Sequence, residues 1–288
     1  MARYPQTAGF AGNVSARQDG GRRKMSATNR APYDPMARFR LDGRVALITG
    51  AGRGIGRSVA IAFAQAGAEV WLVSRTQSEL ETLAAEIKTA GGRAHAAPCD
   101  VTDATAVNKM VAAMPSLDIL VNNAGMNLPE PFVNVTEERL DRVMNLNVRS
   151  MFIVAQAAVR KMQEAADRKT RGGAIVNISS QMGHVGAENR TVYCMTKHAI
   201  EGLTKALGVE LAAQNIRVNS VAPTFIETPM TAPMFAKGDF SQWVHERIPL
   251  GRLGQLDEVV GAVLFAASPA ASLMTGTSLI IDGGWTAR

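Results

Sequence analysis

The chain reads as a single α/β domain organised around a doubly wound, mostly parallel sheet of seven strands. Three features carry that expectation. Seven short apolar runs, rich in Val, Ile, Leu and Ala, are separated by longer segments with helical periodicity. The runs are apolar nearly throughout rather than alternating, which is how strands covered by helices on both faces read. A glycine-rich turn joins the first run to the first helical segment, where a parallel α/β sheet places its phosphate-binding loop. A length of 288 residues and a hydrophobic fraction of 47% suit one large domain with a substantial core.

Residues 1 to about 40 precede this pattern. They hold Gly, Arg, Ser, Asn and Pro with no sustained apolar period, and they read as a basic, flexible extension. Nine Lys and Arg against three Asp and Glu fall within residues 1–44, which accounts for the whole net charge of +6 and leaves the remainder neutral. No nucleic-acid face is therefore expected on the folded part. The extension lacks the apolar core of a secretory signal, and Pro5, Gly9, Gly12, Gly20 and Gly21 interrupt the amphipathic helix of a transit peptide. Met25 and Met36 stand as alternative start positions. No run approaches the roughly 20 apolar residues of a membrane span, so no membrane partner is expected. The two cysteines, Cys99 and Cys194, read as reduced thiols of a cytoplasmic protein.

From Arg44 the elements follow one another. RVALIT is the first buried strand, GAGRGIG the turn, and about Ile55 to Ala66 the first helix, stopped by Gly67. Gly50, Gly54 and Gly56 let the backbone approach a pyrophosphate, and the helix N-terminus faces its charge. The second strand, Glu69–Ser74, ends at Arg75, with no acid where NAD binding would place one against the ribose hydroxyls. Ser74, Arg75 and Arg53 therefore favour NADP(H) over NAD(H); a solvated strand-end arginine is the other reading. A helix over about Gln77–Thr89, a strand over Ala94–Cys99 and a helix from Asp103 come next. Leu117–Gly125 is a strand running into Asn123, Ala124 and Gly125, a tight polar turn suited to a cofactor cleft. Thr136 caps a long helix extending to about Ala165, with Asn145 and Asn147 among apolar neighbours. A buried amide there needs a water or locally opened backbone as partner, whereas a surface asparagine needs neither.

Ala174–Ile178 is another buried strand, with Ser179 and Ser180 at its C-terminal end, where open α/β sheets bind ligands. The helix from Thr191 to about Ala213 carries Tyr193 and Lys197 four residues apart, on one face. A phenol with a free pKa of about 10 is a poor base near neutrality. An ammonium about 6 Å away would stabilise the phenolate by roughly 2–3 kcal/mol, or about two pKa units. Ser180 lies 13 residues before Tyr193, across a loop long enough to return its hydroxyl to the same pocket and bind a substrate carbonyl. Taken alone, the spacing also describes an edge-packed tyrosine beside a snorkelling lysine. Ile216–Pro223 is a strand. Residues 224–250, with Pro229, Pro233 and Pro249 among Phe225, Met230, Met234, Phe235, Phe240 and Trp243, read as a substrate lid or a subunit contact. A helix over Asp257–Ala267 and a strand over Thr277–Ile281 close the alternation, giving a three-layer arrangement with right-handed crossovers.

The assembled pattern over residues 41–288 resembles the short-chain dehydrogenase/reductase family. The resemblance rests on TGAGRGIG at 49–56, Asp100-Val101, NNAG at 122–125, Asn147, Ser180, Tyr193 with Lys197, Pro223 with Thr228, and DGG at 282–284. It implies a Rossmann fold and a carbonyl–alcohol interconversion by hydride transfer, without a metal. Tyr193 would be the acid or base, Lys197 would lower its pKa and bind the nicotinamide ribose, and Ser180 would orient the reacting C–O group. Asn147 would support a water-linked proton relay. Gly50, Arg53, Ile55, Asp100, Val101, Asn123, Ala124, Gly125, Ile226 and Thr228 would line the cofactor. The helices at about 137–162 and 191–213 would pack against other subunits in a homotetramer or homodimer. The usual Pro-Gly turn is Pro223-Thr224 here. The chain resembles both 3-oxoacyl thioester reductases and NAD-dependent sugar or polyol dehydrogenases, and the apolar lid favours a medium-sized carbonyl compound. A non-catalytic dinucleotide sensor or scaffold is the alternative from a different class; the filled positions Asn147, Ser180, Tyr193 and Lys197 argue against it.

Overall fold

Seven strands, β1 (Val45–Thr49), β2 (Glu69–Val73), β3 (Arg93–Ala96), β4 (Ile119–Asn122), β5 (Gly173–Ile178), β6 (Ile216–Pro223) and β7 (Ser278–Ile281), pair in parallel in the order β3-β2-β1-β4-β5-β6-β7. The chain runs outward from β1 to β3, returns to lay β4 beside β1, and then builds the other half. That reversal puts the crevice of the sheet at the C-terminal ends of β1 and β4. The computed structural model describes residues 34–228, 231, 235 and 238–287, without the side chains of 238–241. Expectations about residues 1–33, about Pro229, Met230, Pro233 and Met234, and about the Phe240 side chain lie outside the described residues.

Every residue of β1 is buried, and its alternate side chains enter different layers. Ala46 and Ile48 pack with helices α1 (Gly54–Gln65), α2 (Gln77–Thr89) and α9 (Leu256–Ala267) through Val59, Phe63, Leu80, Leu83, Val259 and Val263. Val45 and Leu47 pack on the opposite face with α3 (Ala104–Ala112), α5 (Ser150–Gln163) and α7 (Thr191–Glu210) through Val107, Val111, Val154, Ala158 and Leu207. The result is the three-layer Rossmann fold expected, with an all-parallel sheet.

Beyond small shifts at element ends, the structure departs from expectation in several places. The compact unit begins at Pro35 rather than about 41: Met36–Phe39 forms a 3-10 turn, and Arg38 donates to the Pro269 carbonyl at 2.6 Å and to Ser272 Oγ at 2.8 Å. Strand β3 stops at Ala96, because Pro98 has no N–H and the strand has one neighbour; Ala97 and Cys99 still donate to Leu72 and Ser74. The helix expected from Thr136 to Ala165 is α4 (Glu137–Met144) and α5, joined by a π segment at Asn145–Arg149. Finally, the lid region contains a helix, α8 (Gly238–Arg247), and a short α6 (Arg168–Arg171) precedes β5. Among the described residues no helix is long and apolar enough to cross a membrane, and no cluster of His, Cys, Asp and Glu is arranged to hold a metal ion.

Candidate active site

A cleft of about 530 Å³ opens where the C-terminal ends of the strands meet the first turns of α1 and α7. It brings together Gly50, Arg53, Gly54, Ile55, Ser74, Arg75, Asp100, Val101, Asn123, Ala124, Gly125, Ser180, Tyr193, Lys197, Ile226 and Thr228. Gly56 and Asn147, singled out from the sequence, do not line it. Each lies behind the wall and shapes it.

The glycine turn is built against the NNAG segment. Gly50 has φ +65°, and a Cβ there would stand 2.7 Å from Asn123 Nδ2; at Gly56 a Cβ would collide with the Gly50 carbonyl oxygen. Asn123 Nδ2 donates to the carbonyls of Thr49 (2.9 Å) and Gly50 (3.2 Å), while Thr49 Oγ1 accepts from the N–H groups of Asn123 and Ala124. Thr49 and Asn123 thus fix the turn, and the Asn123 amide is spent on that task. No side chain caps α1, and its first turn holds no acid. Its leading N–H groups face the cleft beside the Arg53 and Arg75 cations, an arrangement that fits the phosphates of a dinucleotide. Asp100 accepts from the N–H and hydroxyl of Thr102 (2.9 and 2.7 Å), and those bonds hold its carboxyl below the ordinary range.

Tyr193 and Lys197 face the same space from α7, with Lys197 Nζ 5.5 Å from the centre of the Tyr193 ring. Lys197 donates to the Ile178 carbonyl at 2.8 Å, which ties it to the end of β5. Burial pushes the Tyr193 phenol up to about 12, against the nearby Ser180 hydroxyl, which favours the phenolate. Burial also pushes Lys197 down to about 8, against the charge of Glu201 one turn further along α7. Burial moves both groups toward their neutral forms, for the phenol the direction opposite to the depression expected from Lys197. Ser180 Oγ donates to Gln181 Oε1 at 3.0 Å and accepts from the Met182 N–H at 3.1 Å.

Asn147 is fully buried in the π segment. Its Oδ1 accepts from the Met126 N–H, and its Nδ2 donates to the Met126 carbonyl, both at 2.8 Å, and to Thr196 Oγ1 at 3.2 Å. The amide clamps the loop after β4 to α7, with Nδ2 engaged by two acceptors and Oδ1 by one donor.

Several residues in the cleft or behind it were not singled out as site residues from the sequence. Asn127 Oδ1, Ser179 Oγ and Thr224 Oγ1 are buried without hydrogen-bond partners, on residues that line the cleft. Such atoms suit the polar groups of a ligand. Glu79 places its carboxylate against Gly52. Glu201 accepts from Ser220 Oγ at 2.8 Å and lies 3.4 Å from His184 Nε2. Arg190, just before α7, is buried with its Nε unpartnered. A single hydroxyl or charge carries no periodicity of its own, and only the tertiary arrangement shows what it meets. Apolar residues of the lid region pack here too: Phe225, Phe235 and Trp243, with Trp285 from beyond β7, join Met182, Val244, Ile248 and Leu253 around Tyr193. Burial raises both the Cys99 and Cys194 thiols, so neither is an activated nucleophile.

Comparison with known proteins agrees with this geometry. Residues 50–286 match the family model described as Enoyl-(Acyl carrier protein) reductase. An L-xylulose reductase of Bos taurus is 40% identical over 86% of this chain and 99% of its own length. A 3-oxoacyl-[acyl-carrier-protein] reductase of Thermotoga maritima is 41% identical over 85% of this chain and 99% of its own. A crystal structure of a gluconate 5-dehydrogenase from Burkholderia cenocepacia, in complex with NADP and tartrate, superposes with a TM-score of 0.84 at 36% identity, covering 88% of this chain and all of that one. The chain, with its glycine turn, NNAG segment and Tyr193–Lys197 pair on one cleft, belongs to the short-chain dehydrogenase/reductase family of oxidoreductases.

Proposed function

We propose that the protein is an NADP(H)-dependent oxidoreductase that interconverts a carbonyl and a secondary alcohol, with Tyr193 as the acid and base. The observation that carries this reading is the single cleft joining an uncapped helix N-terminus and two arginines to Ser180, Tyr193 and Lys197. The bound nicotinamide would supply or accept the hydride. Arg53 and Arg75 would hold phosphate, including the one that distinguishes NADP(H). Ser180 would donate to the substrate oxygen, and Tyr193 would deliver its proton there in reduction or remove it in oxidation. Lys197, fixed on the Ile178 carbonyl, would hold the nicotinamide ribose and keep a cation near the phenol. Asn147 would act by positioning, through its clamp on Met126.

Sugar and polyol chemistry is the first substrate class to test, because Asn127 and Thr224 present unpartnered polar atoms at the cleft; acyl thioesters are the second. Exposed Phe152 on α5 and Met195 and Val209 on α7 support a homodimer or homotetramer through those helices. The free thiols favour a cytoplasmic setting. The test is NADPH oxidation against ketoses, sugar acids and 3-oxoacyl thioesters, with Tyr193→Phe as control. That substitution should lower turnover by about 10²–10⁴ while NADPH affinity stays within a few-fold. Undiminished turnover would remove Tyr193 from the chemistry.

A further inference from the structure

Ser180 lines the cleft, yet its one proton is turned away from it. The hydroxyl donates to Gln181 Oε1 at 3.0 Å, while its oxygen accepts from the Met182 N–H at 3.1 Å. A hydroxyl has a single O–H, so Ser180 cannot donate to a substrate oxygen while Gln181 holds that proton. Gln181 is itself poorly served by the arrangement. It is 1% exposed, and its Nε2 is buried with no acceptor. Among the described residues its side chain bonds to Ser180 alone, and it does not line the cleft. The backbone around the pair is fixed. Ser180 caps the 3-10 turn Gln181–Gly183, and the His184 and Val185 N–H groups both donate to the Gln181 carbonyl, at 2.9 and 3.2 Å. The turn packs on α7, where a Cβ at Gly183 would stand 3.0 Å from the Lys197 carbonyl oxygen. What remains free to change is the Gln181 amide. Its oxygen and its NH2 group have nearly the same shape, and a half-turn about the last side-chain bond exchanges them without moving the backbone.

We infer that Gln181 is a positioning residue for the Ser180 proton: its amide turns over in the working enzyme, Nε2 donates to Ser180 Oγ, and the hydroxyl is left to donate to the substrate oxygen. This deepens the carbonyl–alcohol reading and rests on it for the role of Ser180. In the turned state Oγ accepts from Nε2 and from the Met182 N–H. Both lone pairs are then filled, and the proton has only the cleft to point into. The exchange also gives Nε2 an acceptor; a buried carbonyl short of a donor is met more often inside proteins than an N–H short of an acceptor. A substrate oxygen favours the turned state because it replaces the acceptor that the hydroxyl gives up. No covalent bond changes in the turn, and the proton stays on Ser180.

The test follows NADPH oxidation, with diacetyl as the probe carbonyl, in Gln181→Glu and Gln181→Met, each with and without Ser180→Ala. An ionised carboxylate can only accept, so Gln181→Glu should hold the proton and lower kcat by about 10²-fold on the alkaline side of neutrality, the scale of losing one donor to the reacting oxygen. As pH falls and that carboxyl is protonated it regains a donor, so the defect should ease. Tyr193, Lys197 and Glu201 on α7 and His184 in the turn are common to both proteins, and the end of β6 packed here brings no titratable side chain; the ratio of variant to wild-type profiles therefore reports the new carboxyl. Gln181→Met removes donor and acceptor at similar volume and should lower kcat by about three- to tenfold, the scale of one neutral hydrogen bond. NADPH affinity should stay within a few-fold in both. In the Ser180→Ala background neither substitution should change kcat further. A Gln181 effect of the same size with and without Ser180 marks a packing role and overturns the inference. So does Gln181→Met at the wild-type rate, or as slow as ionised Gln181→Glu. Ser180→Ala at the wild-type rate would remove Ser180 from the chemistry and refute the parent reading of that residue as well. No turnover of diacetyl, or of the ketoses, sugar acids and thioesters above, would remove the proposed reaction and this inference with it. If Gln181→Glu does not fold, the dependence of Gln181→Met on Ser180 decides the matter.

Discussion

Tyr193 and Lys197 are both moved away from charge by burial, the phenol up to about 12 and the ammonium down to about 8. Near neutrality the phenol keeps its proton, which is the form that carbonyl reduction consumes. Alcohol oxidation needs the phenolate, whose fraction grows as pH rises. The reductive kcat/KM should therefore be flat through neutrality and fall on the alkaline side, while the oxidative kcat/KM climbs with pH. Two profiles of the same slope would contradict Tyr193 as the shared group. Arg75 sets a second expectation at this scale. If Arg75 makes the proposed charge-assisted phosphate contact, replacing it by a carboxylate removes roughly 1.5–3 kcal/mol, so Arg75→Asp should shift the NADPH-to-NADH ratio of kcat/KM tenfold or more toward NADH; an unchanged ratio would remove Arg75 from cofactor selection. The residues legible from sequence were those whose relation is local. Tyr193 and Lys197 share a helix face by spacing alone, and Gly50 to Gly56 sit within one turn. Arg190 and Glu201 were not legible, because a missing counter-charge and a bond to Ser220 are properties of the folded neighbourhood.

At the scale of elements, the most consequential departure is the π segment between α4 and α5. The apolar period across 137–163 suggests one helix, and nothing in composition marks the extra residue per turn. The bulge faces Asn147 into the loop after β4, where its amide satisfies both backbone groups of Met126. Asn147→Ala would leave that N–H and carbonyl unpaired near the cleft floor, at about 1–3 kcal/mol for each group. The expected outcome is a fall in Tm of several degrees, about 2–4 °C per kcal/mol for a chain of this size, together with a lower kcat. Asn147→Asp keeps the acceptor for the Met126 N–H and should fall between the two. A variant with wild-type melting would mean that the clamp is dispensable. Helix α8 escaped the sequence for a different reason. Its neighbours carry prolines and scattered aromatics without a period, and its packing depends on residues distant in sequence, with Trp243 edge-on to Trp285 at 5.6 Å and Phe225 at 5.8 Å from the same ring.

For the molecule as a whole, the sheet was legible because five of its strands lie under helices on both faces and read as apolar runs, VALIT being buried at every position. Strand β3, RAHA, is exposed at two of its four positions and sits at the edge, so its limits were not. Strand order is a matter of crossovers rather than composition, and so is the closure of the N-terminal edge of the sheet, opposite the cleft. There Asp118, leading into β4, accepts from Arg171 through two bonds (2.6 and 2.8 Å), from Arg168 at 3.3 Å and from the Val45 N–H at 2.9 Å, with Arg44 at 3.6 Å. One carboxylate thereby joins the entrances of β1, β4 and β5. Burial acts to raise its pKa, but the bonds from Arg171 and Val45 and the charges of Arg171 and Arg44 hold it below the ordinary range. Between that folded value and the unfolded value of about 3.9, the unfolded chain binds the extra proton, so stability rises with pH across this window. The contribution is complete above about pH 4 and is lost as pH falls through the folded pKa. Asp118→Asn should therefore flatten this part of the acid limb of a pH–stability curve. At pH 7 it should cost about 3 kcal/mol, because the buried Arg168 loses its counter-charge, with smaller losses from the part-exposed Arg44 and Arg171. Denaturant melts of both proteins from pH 3 to pH 7 decide it: equal stability at pH 7, or superposable acid limbs, would show that the three arginines are satisfied without Asp118.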